Sequence, residues 1–100
     1  MAVDVRDNSE ANRFEAWTDG VLAGFAEYLR GDRVVVYPHT VVEPAYEGRG
    51  IGGGLARTAL DDARERGVLV LATCPFIREW MLRHPEYASL AYENQSQVSD

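Results

Sequence analysis

Polar and apolar residues alternate over residues 12–18 (NRFEAWT), which places Phe14, Ala16 and Thr18 on one face of a half-buried strand. Asp19-Gly20 follows, and Asp-Gly between two alternating runs predicts a tight hairpin. Residues 21–30 continue as a strand with Val21, Ala23 and Phe25 on one side, and Gly24 marks a bulge or a close backbone approach. Gly31-Asp32 makes a second turn. Residues 33–42 (RVVVYPHTVV) are rich in branched side chains and read as a third strand, bent near Pro38, which has no N–H to donate to a ladder. After a glycine-rich turn the period changes. Ile51, Leu55, Ala59 and Ala63 recur every four residues, which predicts an amphipathic helix over 51–66 that stops at Gly67. Residues 68–73 (VLVLAT) are almost wholly apolar, as in a strand covered on both faces. Pro75 opens a second helix over 75–84 and Pro85 closes it. Residues 87–92 predict a last short strand.

Residues 1–11 and 93–100 are polar and are expected to fray, which leaves an ordered core of about 12–92. The order of elements predicts an α/β (α+β) fold with a mixed sheet. An antiparallel meander comes first, and a β-α-β-α unit follows with a helix packed on the sheet.

The length of 100 residues suits one small domain, 1–100, and 46% hydrophobic residues suffice for a single core. The net charge of -6 argues against nucleic acid as a partner. It leaves room for a small anionic ligand held by backbone amides. Cys74 is the lone cysteine, so neither an intramolecular disulfide nor a cysteine zinc site is expected, and no metal is implied. No apolar run is long enough to span a membrane and residues 1–10 lack an apolar signal core, so the expected compartment is the cytoplasm, with no membrane partner.

The segment Glu47-Gly48-Arg49-Gly50-Ile51-Gly52-Gly53-Gly54 lies between a strand and a helix. A helix start exposes unpaired amides and a partial positive charge, and glycines let a ligand approach the backbone. A phosphate or diphosphate is the natural guest, and Arg49 adds a charge. The chain contains no lysine, so the Walker pattern is absent. The dinucleotide fingerprint is matched only loosely, because a three-strand meander precedes the turn. A flexible turn before a helix remains the plain alternative.

Residues 43–55 resemble motif A of the GNAT acetyltransferase superfamily, in which Q/R-x-x-G-x-G/A places its amides on the diphosphate of coenzyme A. Gly50 and Gly52 stand at the two small positions, and Glu47 replaces the usual glutamine or arginine. Residues 13–90 are similar to a subfamily of very small acetyl-CoA-binding GNAT-like proteins that lack the usual first helices. The likeness runs through His39-Thr40-x-Val42, the glycine turn, Ala59-Leu60-Asp61-Asp62-Ala63-Arg64, Cys74-Pro75-Phe76 and Arg83-His84-Pro85-Glu86-Tyr87. It implies acetyl-CoA as ligand or co-substrate, held by Gly48, Arg49, Gly50, Ile51, Gly52 and Gly53. The backbone of Val41, Val42 and Glu43 would pair with the pantetheine arm.

The resemblance implies N-acetyl transfer to an unidentified amine, with a non-catalytic acetyl-CoA-binding module as the alternative. His39 suits a general base. Cys74, before a helix start, suits a thiolate that relays the acetyl group in a pair with His39. Many relatives use a tyrosine on the last helix as acid, and that place here holds Trp80, whose indole N–H only donates. His84, at a helix end, suits the helix dipole. Trp17, Phe25 and Phe76 are read as core. A monomer or weak homodimer is expected.

Overall fold

The computed structural model describes residues 2–93. Its first element corrects the expectation of a frayed start. Strand β1 (Asp4–Asn8) pairs antiparallel with β2 (Arg13–Thr18), and β2 pairs with β3 (Val21–Glu27). The residues of β1 show no apolar alternation because the strand is held by charge. Asp7 accepts hydrogen bonds from Tyr28 and Arg30, and Arg30 also reaches Asp62 of the first helix.

The hairpin turn has positive φ at both central residues, Asp19 (51°) and Gly20 (77°), as a two-residue connection between twisted strands demands. The pairing register then shifts opposite Ala16 and Trp17, where Ala23 is the extra residue on β3. This bulge changes which side chains face inward. Val21 is exposed and Phe25 half-buried, whereas Ala23, Gly24 and Ala26 are buried. Gly24 also marks a close approach, since a Cβ there would stand 2.5 Å from the Val41 carbonyl oxygen.

Neither longer strand stays whole. Residues 21–30 divide at Tyr28 into β3 and β4 (Leu29–Arg30), and residues 33–42 divide at Pro38 and His39 into β5 (Val34–Tyr37) and β6 (Thr40–Val42). The halves join different sheets. One has the order β1-β2-β3-β6 and is antiparallel. The other has the order β4-β5-β7, in which β5 runs parallel to β7 (Leu69–Ala72). The break at Pro38 therefore opens a gap, because β6 turns toward β3 while β7 ends beside β5.

Helix α1 (Ile51–Arg66) buries Ile51, Leu55, Ala56, Ala59, Leu60 and Ala63. Gly67, with φ of 71°, ends it by donating to the carbonyls of Ala63 and Arg64. Tyr37 donates to the Ala59 carbonyl at 2.6 Å and so fixes β5 under the helix. Strand β7 is fully buried at Val70 and Ala72 and only half-buried at Leu69 and Leu71, so one face is covered less than expected. Helix α2 (Pro75–Arg83) starts at its proline and buries Ile77 and Met81. The last predicted strand is instead a 3-10 helix, Pro85–Leu90, with a single parallel bridge from Ala91 to Val70. Pro85 sets the first turn, and local bonds such as Tyr87 N–H to the His84 carbonyl replace a ladder.

Candidate functional site

Helix α1 begins without a side-chain cap. Gly50, at φ of 80°, is the capping residue, and the first intrahelical bond is from Gly54 N–H to the Gly50 carbonyl at 3.0 Å. The amides of Ile51, Gly52 and Gly53 precede that bond, so the helix itself gives them no acceptor. Gly48 also has positive φ, 78°, a region that favours glycine, and it leads the chain out of the turn Pro44–Tyr46 toward the helix. The Ile51 side chain is core, and only its peptide group belongs to the turn.

Gly52 and Gly53 have a second reason to lack side chains. A Cβ at Gly52 would stand 2.8 Å from Phe76 Cζ, and one at Gly53 would stand 2.9 Å from Trp80 Cη2 and Cζ3. The two glycines let α2 lie against the first turns of α1. Between the helices and the glycine turn is a cavity of about 730 Å³. Val42 lines one end and Arg57 and Arg83 also line it, with Tyr46, Phe76 and Trp80 as aromatic walls.

Strand β6 forms the inner end of this groove. Glu43 N–H donates to the Ala23 carbonyl, and the His39 carbonyl accepts from Glu27 N–H, both at 2.8 Å. Val41 pairs with Phe25 in the same ladder. In a strand, successive peptide groups point to opposite sides. Residues 39, 41 and 43 therefore address β3, and the peptide groups of Thr40 and Val42 face the gap. Of the three strand residues named from sequence, Val42 turns its backbone to the opening, and Val41 and Glu43 turn theirs to β3.

The structure does not bring His39 and Cys74 together. Cys74 is buried at the start of α2, and its Sγ lies 3.4 Å from Thr40 Oγ1. His39 immediately precedes β6 and its carbonyl continues the ladder to Glu27, so by alternation with Thr40 its ring points to the other face. There it meets Phe25 edge-on at 6.4 Å and is exposed. Sequence reasoning missed Thr40 as the partner of Cys74. The signal was strand alternation, which puts residue 40 and not 39 on the α1 side.

Trp80, on α2, stacks on His84 with ring centroids 3.9 Å apart. His84 Nδ1 lies 2.8 Å from the Trp80 carbonyl oxygen. The Trp80 Nε1 is shielded from solvent and has no hydrogen-bond partner among the described residues. Arg57 Cζ lies 5.8 Å from the Trp80 ring, and Arg49 Cζ lies 5.6 Å from the Tyr46 ring. Phe76, expected in the core, is 37% exposed and forms a wall of the groove. Tyr46 and Arg83 lie inside the quoted motifs without a role of their own, Arg57 lies outside them, and all three enter the groove through tertiary placement. Among the described residues no group of His, Cys, Asp and Glu could hold a metal ion, and no helix is long and apolar enough to cross a membrane.

Residues 13–90 match the GCN5-related N-acetyltransferase family. The chain is 41% identical over 59 residues to Protein NATD1 of Gallus gallus, a match that covers 59% of this chain and 53% of that protein. The matched stretch thus spans about half the length of that relative. In fold, the chain is similar to a GCN5-like putative N-acetyltransferase from Staphylococcus aureus, with a TM-score of 0.67 and 19% identity over 88% of this chain and 86% of that one. It is also similar to Ard1 from Thermoplasma volcanium, with a TM-score of 0.62 and 19% identity over 79% of this chain and 57% of that one.

Proposed function

We propose, for a chain that belongs to the GCN5-related N-acetyltransferase family, that the groove between α1 and α2 binds acetyl-CoA and that the protein moves its acetyl group to an amine. The observation that carries this reading is the uncapped, glycine-rich start of α1 opening onto a cavity of about 730 Å³. A diphosphate satisfies three helical amides at once and meets the positive end of the helix dipole. Gly48 and Gly50 shape the approach, and Arg49 adds a guanidinium to the same turn. Val42 presents its peptide groups to the gap between β6 and β7, where an amide-bearing pantetheine arm finds strand-like partners. The backbone of Val41 and Glu43 holds that edge open by pairing with β3.

Transfer to an amine needs a free lone pair on the nitrogen and a stabilised carbonyl oxygen. His39 is the general base in this reading. It stands next to Thr40 on the strand that borders the gap and opens on the face away from α1, so an amine approaches from that side. Cys74 lies on the α1 side of the gap with Thr40 Oγ1 as its partner. A two-step relay through Cys74 would proceed without His39, because the two side chains lie on opposite faces.

A second reading, a non-catalytic acetyl-CoA-binding module, is favoured by Trp80. Its indole N–H cannot protonate a leaving thiolate. Release of free coenzyme A against a panel of amines distinguishes the two. We expect amine-dependent release that falls about a hundredfold in His39→Ala and changes little in Cys74→Ser. Tight binding with no amine-dependent release would establish the module reading instead. An added acetyl group on Cys74, seen by intact mass after incubation with acetyl-CoA, would restore the relay.

A further inference from the structure

Helices α1 and α2 lie side by side with their first turns together. Gly52 meets Phe76, and Gly53 meets Trp80. One turn further on, Arg57 follows Gly53 on α1, and Arg83 follows Trp80 on α2. Both arginines line the same groove as the glycine turn. We propose that Arg57 and Arg83 form a second anion subsite, separate from the helix start, that holds a phosphomonoester. On the acetyl-CoA reading above, that group is the 3′-phosphate of the ligand's ribose.

A diphosphate at the start of α1 leaves these arginines without a task. The field of a helix end fades within its first turn. Arg57 stands about 6 Å further along the axis than Gly53, at 1.5 Å per residue. The two side chains differ in how they are held. Arg83 makes no ion pair or side-chain hydrogen bond among the described residues. Arg57 donates to the Tyr87 hydroxyl at 3.1 Å and lies 3.9 Å from the Glu86 carboxylate. Its guanidinium, 5.8 Å from the Trp80 ring, is held over that wall of the groove.

Charge points the same way. The molecule carries -6, yet two arginines line this groove against one carboxylate, Glu47. A guanidinium fork suits a phosphomonoester, which presents three acceptor oxygens in a compact head. Arg78 lies on the same helix but pairs with Glu93 at 3.6 Å outside the groove, so it serves as a matched control.

The test is calorimetric titration of the folded protein with coenzyme A and with 3′-dephospho-coenzyme A. We expect the parent protein to prefer coenzyme A by about tenfold or more. Arg83→Gln should lose that preference by weakening coenzyme A alone. Arg57→Gln should do the same, and Arg78→Gln should not. Equal affinity of the parent for both ligands, or an equal loss for both in Arg83→Gln, would overturn the subsite while leaving acetyl-CoA binding in place. Failure of both ligands to bind would remove the subsite together with the reading it rests on.

Discussion

A methyl group at position 53 would crowd the Trp80 indole at 2.9 Å, and His84, stacked at 3.9 Å, hinders the indole from yielding. Overpacking of this kind costs about 1–3 kcal/mol. Exchanging glycine for alanine within a helix returns up to about 1 kcal/mol. Gly53→Ala should therefore lose about 1 kcal/mol in urea unfolding. Gly52→Ala meets the ring of Phe76, which is 37% exposed and can swing aside, so its stability should stay close to the parent. On the opposite face of the sheet, Glu15 is a buried carboxylate that accepts from Arg13, Asn8 and the Trp17 indole. Burial pushes its carboxyl up, but those bonds and the Arg13 charge outweigh burial and hold it below its ordinary 4.5. A carboxyl held low in the folded state adds stability that is present above the unfolded value and is lost as pH falls through the folded one. Stability should drop with acid from about pH 4.5 downward. Glu15→Gln should flatten that slope in urea titrations at successive pH values, and Asp7 contributes in the same direction, because burial of its carboxyl is outweighed by the bonds from Tyr28 and Arg30, which hold it low.

At the scale of elements, β1 depends on the bonds that Asp7 accepts from Tyr28 and Arg30. Tyr28→Phe keeps the ring and removes two charge-assisted bonds, one donated to Asp7 and one accepted from Arg30, so it should cost at least about 1.5–3 kcal/mol. Protection of the β1 amides in hydrogen exchange should fall with it. The same strand shows what sequence reading reached and where it stopped. Helix α1, its glycine stop, the Asp19-Gly20 hairpin and the β-α-β-α order after the meander follow from local pattern, and each stands in the structure. Strand β1 was illegible because the side chains that bond its Asp7, Tyr28 and Arg30, lie far along the chain. Pro38 announced a bend, but only tertiary pairing decides that the two halves of 33–42 join different sheets. The glycine turn was legible as a motif, whereas Arg57, Arg83 and Tyr46 reach the groove through packing that no local spacing encodes. Strand alternation also bears on the expected pair of Cys74 and His39, since Thr40 Oγ1 lies beside the thiol and the His39 ring beside Phe25.

The whole molecule is a split sheet with α1 against one face and a groove where the split meets the helix ends. On its other face, Trp17 and Phe25 are half-buried, with no helix of the described residues over them. Arg6 lies 5.9 Å from the Trp17 ring and Arg13 lies 4.4 Å from the Phe25 ring, so guanidinium groups cover what apolar packing does not. The two tryptophans thus report on different faces. In Trp17→Phe, titration with acetyl-CoA should still change the remaining fluorescence, because Trp80 lines the groove. The most direct measurement is an amide-resolved NMR titration of the parent protein with acetyl-CoA. The largest shifts should fall on Gly48, Gly50, Ile51, Gly52 and Gly53, with Val42 moving alongside them. Shifts confined to other parts of the sheet, with these glycine signals unmoved at saturation, would contradict the assignment of the ligand to the start of α1.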